Sequence, residues 1–354
     1  MRVRAVDIAE RLGISKATVS LALNGKPGVS EGTREAVLKC REELEAQLNQ
    51  VMADGAAESE VAVKSEPESA LVGDGLMIKV IIVDRKLGIV CDSALNVWTE
   101  VLRIFDTEAR KCGYTIGITY IGTDDKEIQR AVEECASPMV AGVLLFATEM
   151  DEKGFDRGFR AIRKPMVSFD HDVGNRHHSI VIDNEAGVEK AVEFLVSRGC
   201  RRIEYLAQKI SIYNFERRRV GFLSGIRKTG LDMERCPVVP VGTSIESVEV
   251  FMEDWLEEHT LPDAFLMENY QISIGTLKAL KKLGIQVPGQ VSLLGVDELP
   301  SYMTGDKKLN CLRIAHEDRA HVAIKLLLDE IEQESRTKFK VASRCEIILG
   351  DTVR

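Results

Sequence analysis

Residues 6–24 read VDIAERLGISKATVSLALN. Val6, Ile8, Ala9 and Leu12 recur near helical spacing, and Gly13 suits a helix C-cap. Ser15 stands where an N-cap would open a second helix over Lys16–Leu23, ended by Asn24-Gly25. Ser30 then caps a third helix carrying Val37, Leu38, Leu44 and Leu48. Helix, glycine turn and capped helix make the helix-turn-helix arrangement, whose second helix fits a major groove about 12 Å wide. Ala9 and Val19 suit a close helix–helix contact. A plain helical hairpin has the same periodicity, so spacing alone leaves both readings open. Either way, residues 1–52 form an all-α head.

The pattern breaks at 53–76. This stretch holds six acids, one lysine, Pro67, three glycines and no aromatic residue. It cannot bury enough apolar area to offset its ordering entropy and reads as an acidic flexible linker. From Met77 onward, β-branched runs alternate with amphipathic stretches. The runs are 79–83, 115–121, 142–147, 166–170, 179–183, 202–207, 264–268 and 291–297, with helices such as 184–198 and 271–283 between them. Continuous apolar strands separated by helices imply parallel sheets covered on both faces, hence an α/β body. Residues 77–354 exceed what one such sheet takes, so two subdomains with a cleft are expected, roughly 77–173 plus 304–330 and 174–303 plus 331–354.

Charge follows the same division. The 354 residues carry a net charge of -9, yet residues 1–41 hold eight Lys/Arg against four acids, leaving a basic head on an acidic body. The longest apolar runs, such as 140–147, fall short of the ~20 residues a spanning helix needs, and no membrane association is expected. The N-terminal residues lack an apolar core of signal-peptide length, so a cytoplasmic location is expected. Eight cysteines without a C-x-x-C pair read as reduced core thiols. His171, Asp172, His177 and His178 cluster near a turn without helical metal-ligand spacing, so no metal site is expected. No nucleophile elbow, phosphate loop, dinucleotide fingerprint or zinc-protease motif is present; the chain reads as a non-enzyme without cofactor or catalytic residues.

The longer stretch VDIAERLGISKATVSLALNGKPGVSEGTREAVL, residues 6–38, closely resembles the head of the lactose-repressor/galactose-repressor family of bacterial regulators. The run TVSLALNG followed by VS and TR carries the resemblance. It implies operator binding by a homodimer, with each head placing its second helix in one half-site of a palindromic duplex. On that pattern Lys16, Ala17 and Leu21 face the base edges, Leu21 being able only to touch a thymine methyl. Thr18, Ser20, Asn24, Ser30, Thr33 and Arg34 fall where the family holds the DNA backbone, fixing register more than sequence. Downstream the chain departs. Most members continue with tyrosine-x-proline-asparagine and a hinge helix whose leucine wedges into the minor groove. Here EAQLNQVMADG stands at 45–55, keeping only Asn49. Val37, Leu44, Leu48 and Val51 either continue a dimer-zipping stripe or cover the head's own core.

The body resembles the family's effector domain, which shares its fold with periplasmic sugar-binding proteins. The resemblance runs through nearly the whole of 77–354, is carried by 179–207, 216–231 and 262–298, and implies a small-molecule effector, a sugar or sugar derivative, in the cleft. Asp170 and Asp297 end strands, where parallel sheets present ligand groups. Arg218 stands where a guanidinium clamps the ligand, and Asn269 is retained. Tyr270 replaces the usual acid, and Trp98 aligns with a cleft aromatic, with Asp92 or Ser93 nearby. Loss of that acid leaves room for a sugar phosphate, a sugar acid or a nucleoside-like ligand. The expected function is an allosterically controlled transcription regulator, a repressor by family habit. The alternatives are a degenerate regulator with weak or effector-independent DNA binding, and a solute-binding protein.

Overall fold

A computed structural model describes residues 11–12, 14–23, 29–40, 75–85, 97–150, 152–172, 176–305, 307–333 and 337–354. Most of the first helix, Asn24, the 41–52 stripe, nearly all of the linker, and Asp92 and Ser93 lie outside these residues. The chain divides into two units, Met1–Ser69 and Ala70–Arg354.

In the first unit, helix α1 spans Lys16–Leu23 and residues 31–40 are also helical. Ser15 Oγ accepts the Thr18 amide at 3.1 Å and Ser30 Oγ accepts the Thr33 amide at 3.2 Å, so both serines are N-caps as expected. Val19, Ala22, Val37 and Cys40 form a small core, flanked by Leu12, Ile14, Leu23 and Val29. Val37 is therefore spent on the head's own packing. That fits the second of the two readings of the stripe for this residue.

The second unit begins with β1 (Met77–Val83), α2 (Val97–Lys111), β2 (Thr115–Ile121), α3 (Asp125–Cys135), β3 (Val140–Phe146), α4 (Glu152–Phe159), β4 (Met166–Phe169) and β5 (His178–Ile182). There follow α5 (Asn184–Ser197), β6 (Ile203–Ala207), α6 (Tyr213–Thr229), β7 (Val238–Pro240), α7 (Ile245–Glu258), β8 (Ala264–Met267), α8 (Tyr270–Lys282), β9 (Ser292–Val296) and α9 (Ser301–Thr304). The chain closes with β10 (Asn310–Arg313), α10 (His316–Glu332), β11 (Lys340–Ser343) and β12 (Glu346–Ile348). Two six-stranded sheets result, in the orders β11-β5-β4-β3-β1-β2 and β12-β10-β9-β8-β6-β7. All pairs are parallel except β10 with β12.

Central strands carry unbroken buried runs, as in β3, β5, β6 and β9, because helices cover both faces of each sheet. Glycine permits the closest helix contact: a Cβ on Gly221 of α6 would fall 2.5 Å from the Glu185 carbonyl of α5.

The expected subdomain boundaries need correction. β5 pairs with β4 and β11, so the first subdomain runs to about residue 182 rather than 173. β10 pairs with β9, which places 310–313 in the second sheet, while β11 returns 340–343 to the first. The chain thus crosses between sheets three times, at 182–184, 313–316 and 343–346. The cause is local: β10, β11 and β12 are only three or four residues long, and β11 and β12 are half exposed, so no long apolar run announces them.

Candidate functional site

Strand ends of both sheets converge on one cavity. From the first subdomain come Trp98, Thr148, Asp170, Ile182 and His316; from the second come Asn214, Arg218, Asn269, Tyr270 and Asp297. All six residues singled out in the sequence for the cleft line it. This is the crevice beyond the carboxyl ends of parallel strands, where open α/β sheets bind ligands.

Asp170 and Asp297 follow β4 and β9 directly and both adopt left-handed backbone, φ 63° and 76°. Such conformations are costly for non-glycine residues and aim the side chain off the strand end. Asp170 is buried; its Oδ2 accepts from Thr148 Oγ1 at 2.6 Å and its Oδ1 from Arg319 of α10. Burial opposes the charge on Asp170, but Arg319 and the Thr148 hydroxyl hold its carboxyl below the usual range. The Arg319 guanidinium also lies 5.5 Å from the Phe169 ring centre. At Asp297 burial again opposes the charge. His316, whose Nε2 is 3.9 Å from Oδ1, and the charge of Arg218 outweigh it and lower the pKa.

Arg218 is buried on α6, with Nε donating to Asn184 Oδ1 at 2.9 Å and Nη1 to the Glu268 carbonyl at 2.7 Å. Asn184 passes the contact on, Nδ2 donating to Asn214 Oδ1 at 2.8 Å. The neighbouring Arg219 is committed elsewhere. It forms a two-point pair with buried Glu268, at 2.7 and 3.0 Å, and holds the floor beneath the cleft. Burial nevertheless pushes the Glu268 carboxyl up.

Asn269 caps α8 by accepting the Ile272 amide at 3.0 Å, and Tyr270 opens that helix, buried. Trp98 packs edge-on against Phe146 at 4.9 Å and tilts over His316 at 6.3 Å. It is therefore part of the first subdomain's aromatic core as well as of the cavity wall.

Thr148, Asn184, Asn214, His316 and Arg319 were not singled out in the sequence. Asn214 had a signal, since it lies one helical turn before Arg218 on the same face. Arg319 had none; it sits in a helix start, HEDRA, that reads as a solvated face.

In the head, Val19 and Ala22 point into the core, which turns Thr18 and Leu21 to partly exposed positions; Ser30 is exposed and Thr33 and Arg34 are partly so. The backbone of Lys16, Ala17 and Ser20 lies in α1, while Asn24 falls outside the described residues.

Two family descriptions match this chain: bacterial regulatory proteins of the lacI family over residues 6–46, and a periplasmic binding protein-like domain over residues 192–353. The chain joins a lacI-family head to a periplasmic-binding-protein-like body. Among similar proteins, the transcriptional repressor PurR of Pasteurella multocida is 21% identical over 98% of both chains. The ribose operon repressor of Halalkalibacterium halodurans is 22% identical, covering 98% of this chain and 96% of its own. The fold matches that of a transcriptional regulator CelR–cellobiose complex at TM-score 0.67 and 18% identity, with 99% of this chain and 100% of that one covered. It matches the lac repressor dimer bound to operator and the anti-inducer ONPF at TM-score 0.67 and 20% identity, with 99% of each covered. These relatives are transcription regulators rather than enzymes. No helix among the described residues is long and apolar enough to cross a membrane.

Proposed function

We propose that this chain is a cytoplasmic, homodimeric transcription regulator, a repressor like its named relatives, whose hold on operator DNA is set by a small polyhydroxylated effector. One observation carries the reading. Asp170, Arg218, Asn269 and Asp297, far apart in sequence, meet around one cavity in a chain whose head matches the lacI family. Two carboxylates, a guanidinium and an amide, set among Trp98, Ile182, Phe215 and Ile314, are the mixture that orients hydroxyls and covers the apolar face of a ring.

In the head, Lys16, Ala17 and Leu21 read base edges, while Thr18, Ser20, Asn24, Ser30, Thr33 and Arg34 hold the backbone. A ligand that favours one closure of the two subdomains biases that state, and the paired heads gain or lose a half-site spacing of about 34 Å. Linkage then requires operator DNA to change effector affinity by the factor by which effector changes operator affinity. The test is a calorimetric titration of sugars into the full chain, with and without a palindromic duplex from beside its own coding region, at stated salt. Two different affinities are expected. Equal affinities would remove the allosteric control, and no binding to any duplex would remove the regulator reading.

A further inference from the structure

Three side chains in the cleft have their orientations fixed by partners that can only donate. Arg218 Nε has no acceptor capacity, so the Asn184 atom facing it at 2.9 Å is the amide oxygen. Asn184 must then present Nδ2 to its other neighbour, which makes the Asn214 atom at 2.8 Å an oxygen and leaves Asn214 Nδ2 as that residue's remaining donor. The backbone amide of Ile272 likewise fixes Asn269 Oδ1, and Asn269 Nδ2 is buried with no hydrogen-bond partner. Arg218 spends Nε and Nη1 on two neutral oxygens and keeps Nη2.

Asn214, Arg218 and Asn269 are each 5% exposed or less and line the same cavity. One corner of the cleft therefore offers three unspent donors and a buried guanidinium bonded only to neutral groups. A hydroxyl placed there would accept readily but would have to dispose of its own proton, and none of these donors can take it. A carboxylate has acceptors only. It would also give the buried guanidinium a charged hydrogen-bond partner, where its two present partners are neutral oxygens.

From this we infer, building on the effector reading above, that the effector is a compact polyhydroxylated carboxylate, a sugar acid, with its carboxylate against Arg218, Asn214 and Asn269. Its hydroxyls donate to Asp297 and to the remaining lone pairs of Asp170. Formal charge favours one negative group over two. Arg218 and Arg319 balance Asp170 and Asp297, so a phosphate dianion would leave the cavity strongly negative.

The test uses the full wild-type chain and matched probes: glucose, galactose and ribose, each beside its aldonate and its terminal phosphate, with glucuronate and galacturonate added. Affinities are read by calorimetry and by thermal shift at equal concentrations. At least one sugar acid is expected to bind at least about tenfold more tightly than its neutral parent and its phosphate. Asn214→Asp, which sets a carboxylate where the ligand's would lie, should weaken binding of the acid at least about tenfold more than binding of the neutral sugar. If neutral sugars bind as tightly as their acids, the sugar-acid inference falls and the sugar effector stands. A phosphate that binds more tightly than the carboxylate also overturns the inference. If no probe binds, both readings fall. Because the wild-type comparison stands without the variant, a poorly folding Asn214→Asp protein does not shelter the inference.

Discussion

Arg319 donates to Asp170 across 149 residues of sequence, and the two side chains are only 2% and 3% exposed. The pair ties the start of α10 to the end of β4, at the base of the cleft.

Replacing Arg319 by methionine removes the partner and leaves a carboxylate stranded in the interior. A loss of about 3–5 kcal/mol is expected, read as a lower urea midpoint at unchanged slope. Thr148→Val deletes one hydrogen bond to the same carboxylate and should cost about 1.5–3 kcal/mol. A methionine variant as stable as the parent would mean that the pair contributes nothing to the fold.

Acid should find the same carboxyl. Asp170 titrates below the ordinary carboxylate range in the folded chain, whereas the unfolded chain takes up its proton near pH 3.9. The stability it contributes is therefore complete above that value and is lost as pH falls through the lower, native one. Asp263, opposed by partial burial but held by the Arg201 and Arg202 amides, acts in the same direction. Glu268, raised by burial, acts in the opposite direction. Urea midpoints measured between about pH 5 and pH 2 should fall on acidification, and Asp170→Asn should flatten that dependence.

Gly221→Ala tests the contact between α5 and α6. The added methyl meets backbone, the Glu185 carbonyl at 2.5 Å, which cannot swing aside like a side chain. Separation of the helices should cost about 1–3 kcal/mol. Gly230→Ala serves as a comparison with a different cause, because Gly230 has open space around it and is strained only by its φ of 70°.

In the head, Arg34→Ala should weaken binding to all duplexes alike and reduce the slope of log affinity against log salt by about one. Leu21→Ala should instead alter preference among half-sites and leave the salt slope unchanged. Band-shift titrations on a panel of half-site variants distinguish the two effects. If the two variants behave identically, the assignment of base-facing and backbone-facing positions is wrong.

Much of this architecture is legible in the sequence, for physical reasons that differ by element. The eight strands read from apolar runs are all present; seven are buried on both faces and so are mainly apolar, while β2, at the edge of its sheet, stays largely exposed. β7, β10, β11 and β12 escape that logic. They are three or four residues long, and no apolar run of useful length marks them.

In the site, Asp170 and Asp297 are legible because a strand that ends in an acid points it at the crevice. Arg319 is not: its partner is 149 residues away, and nothing local distinguishes it from a solvated helix residue. Asn184 and Asn214 belong to a third kind. Their roles emerge only once a hydrogen-bond chain fixes which amide atom faces which neighbour.

Two of the three crossings between the sheets brace each other directly, the Asp183 amide donating to the Ser343 carbonyl at 2.9 Å and the Cys345 thiol meeting the Asp183 carbonyl at 3.9 Å. Three straps side by side tolerate the loss of one. A protease that nicks a single strap leaves two covalent ties, so the halves stay together until denaturant parts them. Opening of the jaws is held to a bend about the line of straps, since a free twist would have to tear the first and third from each other.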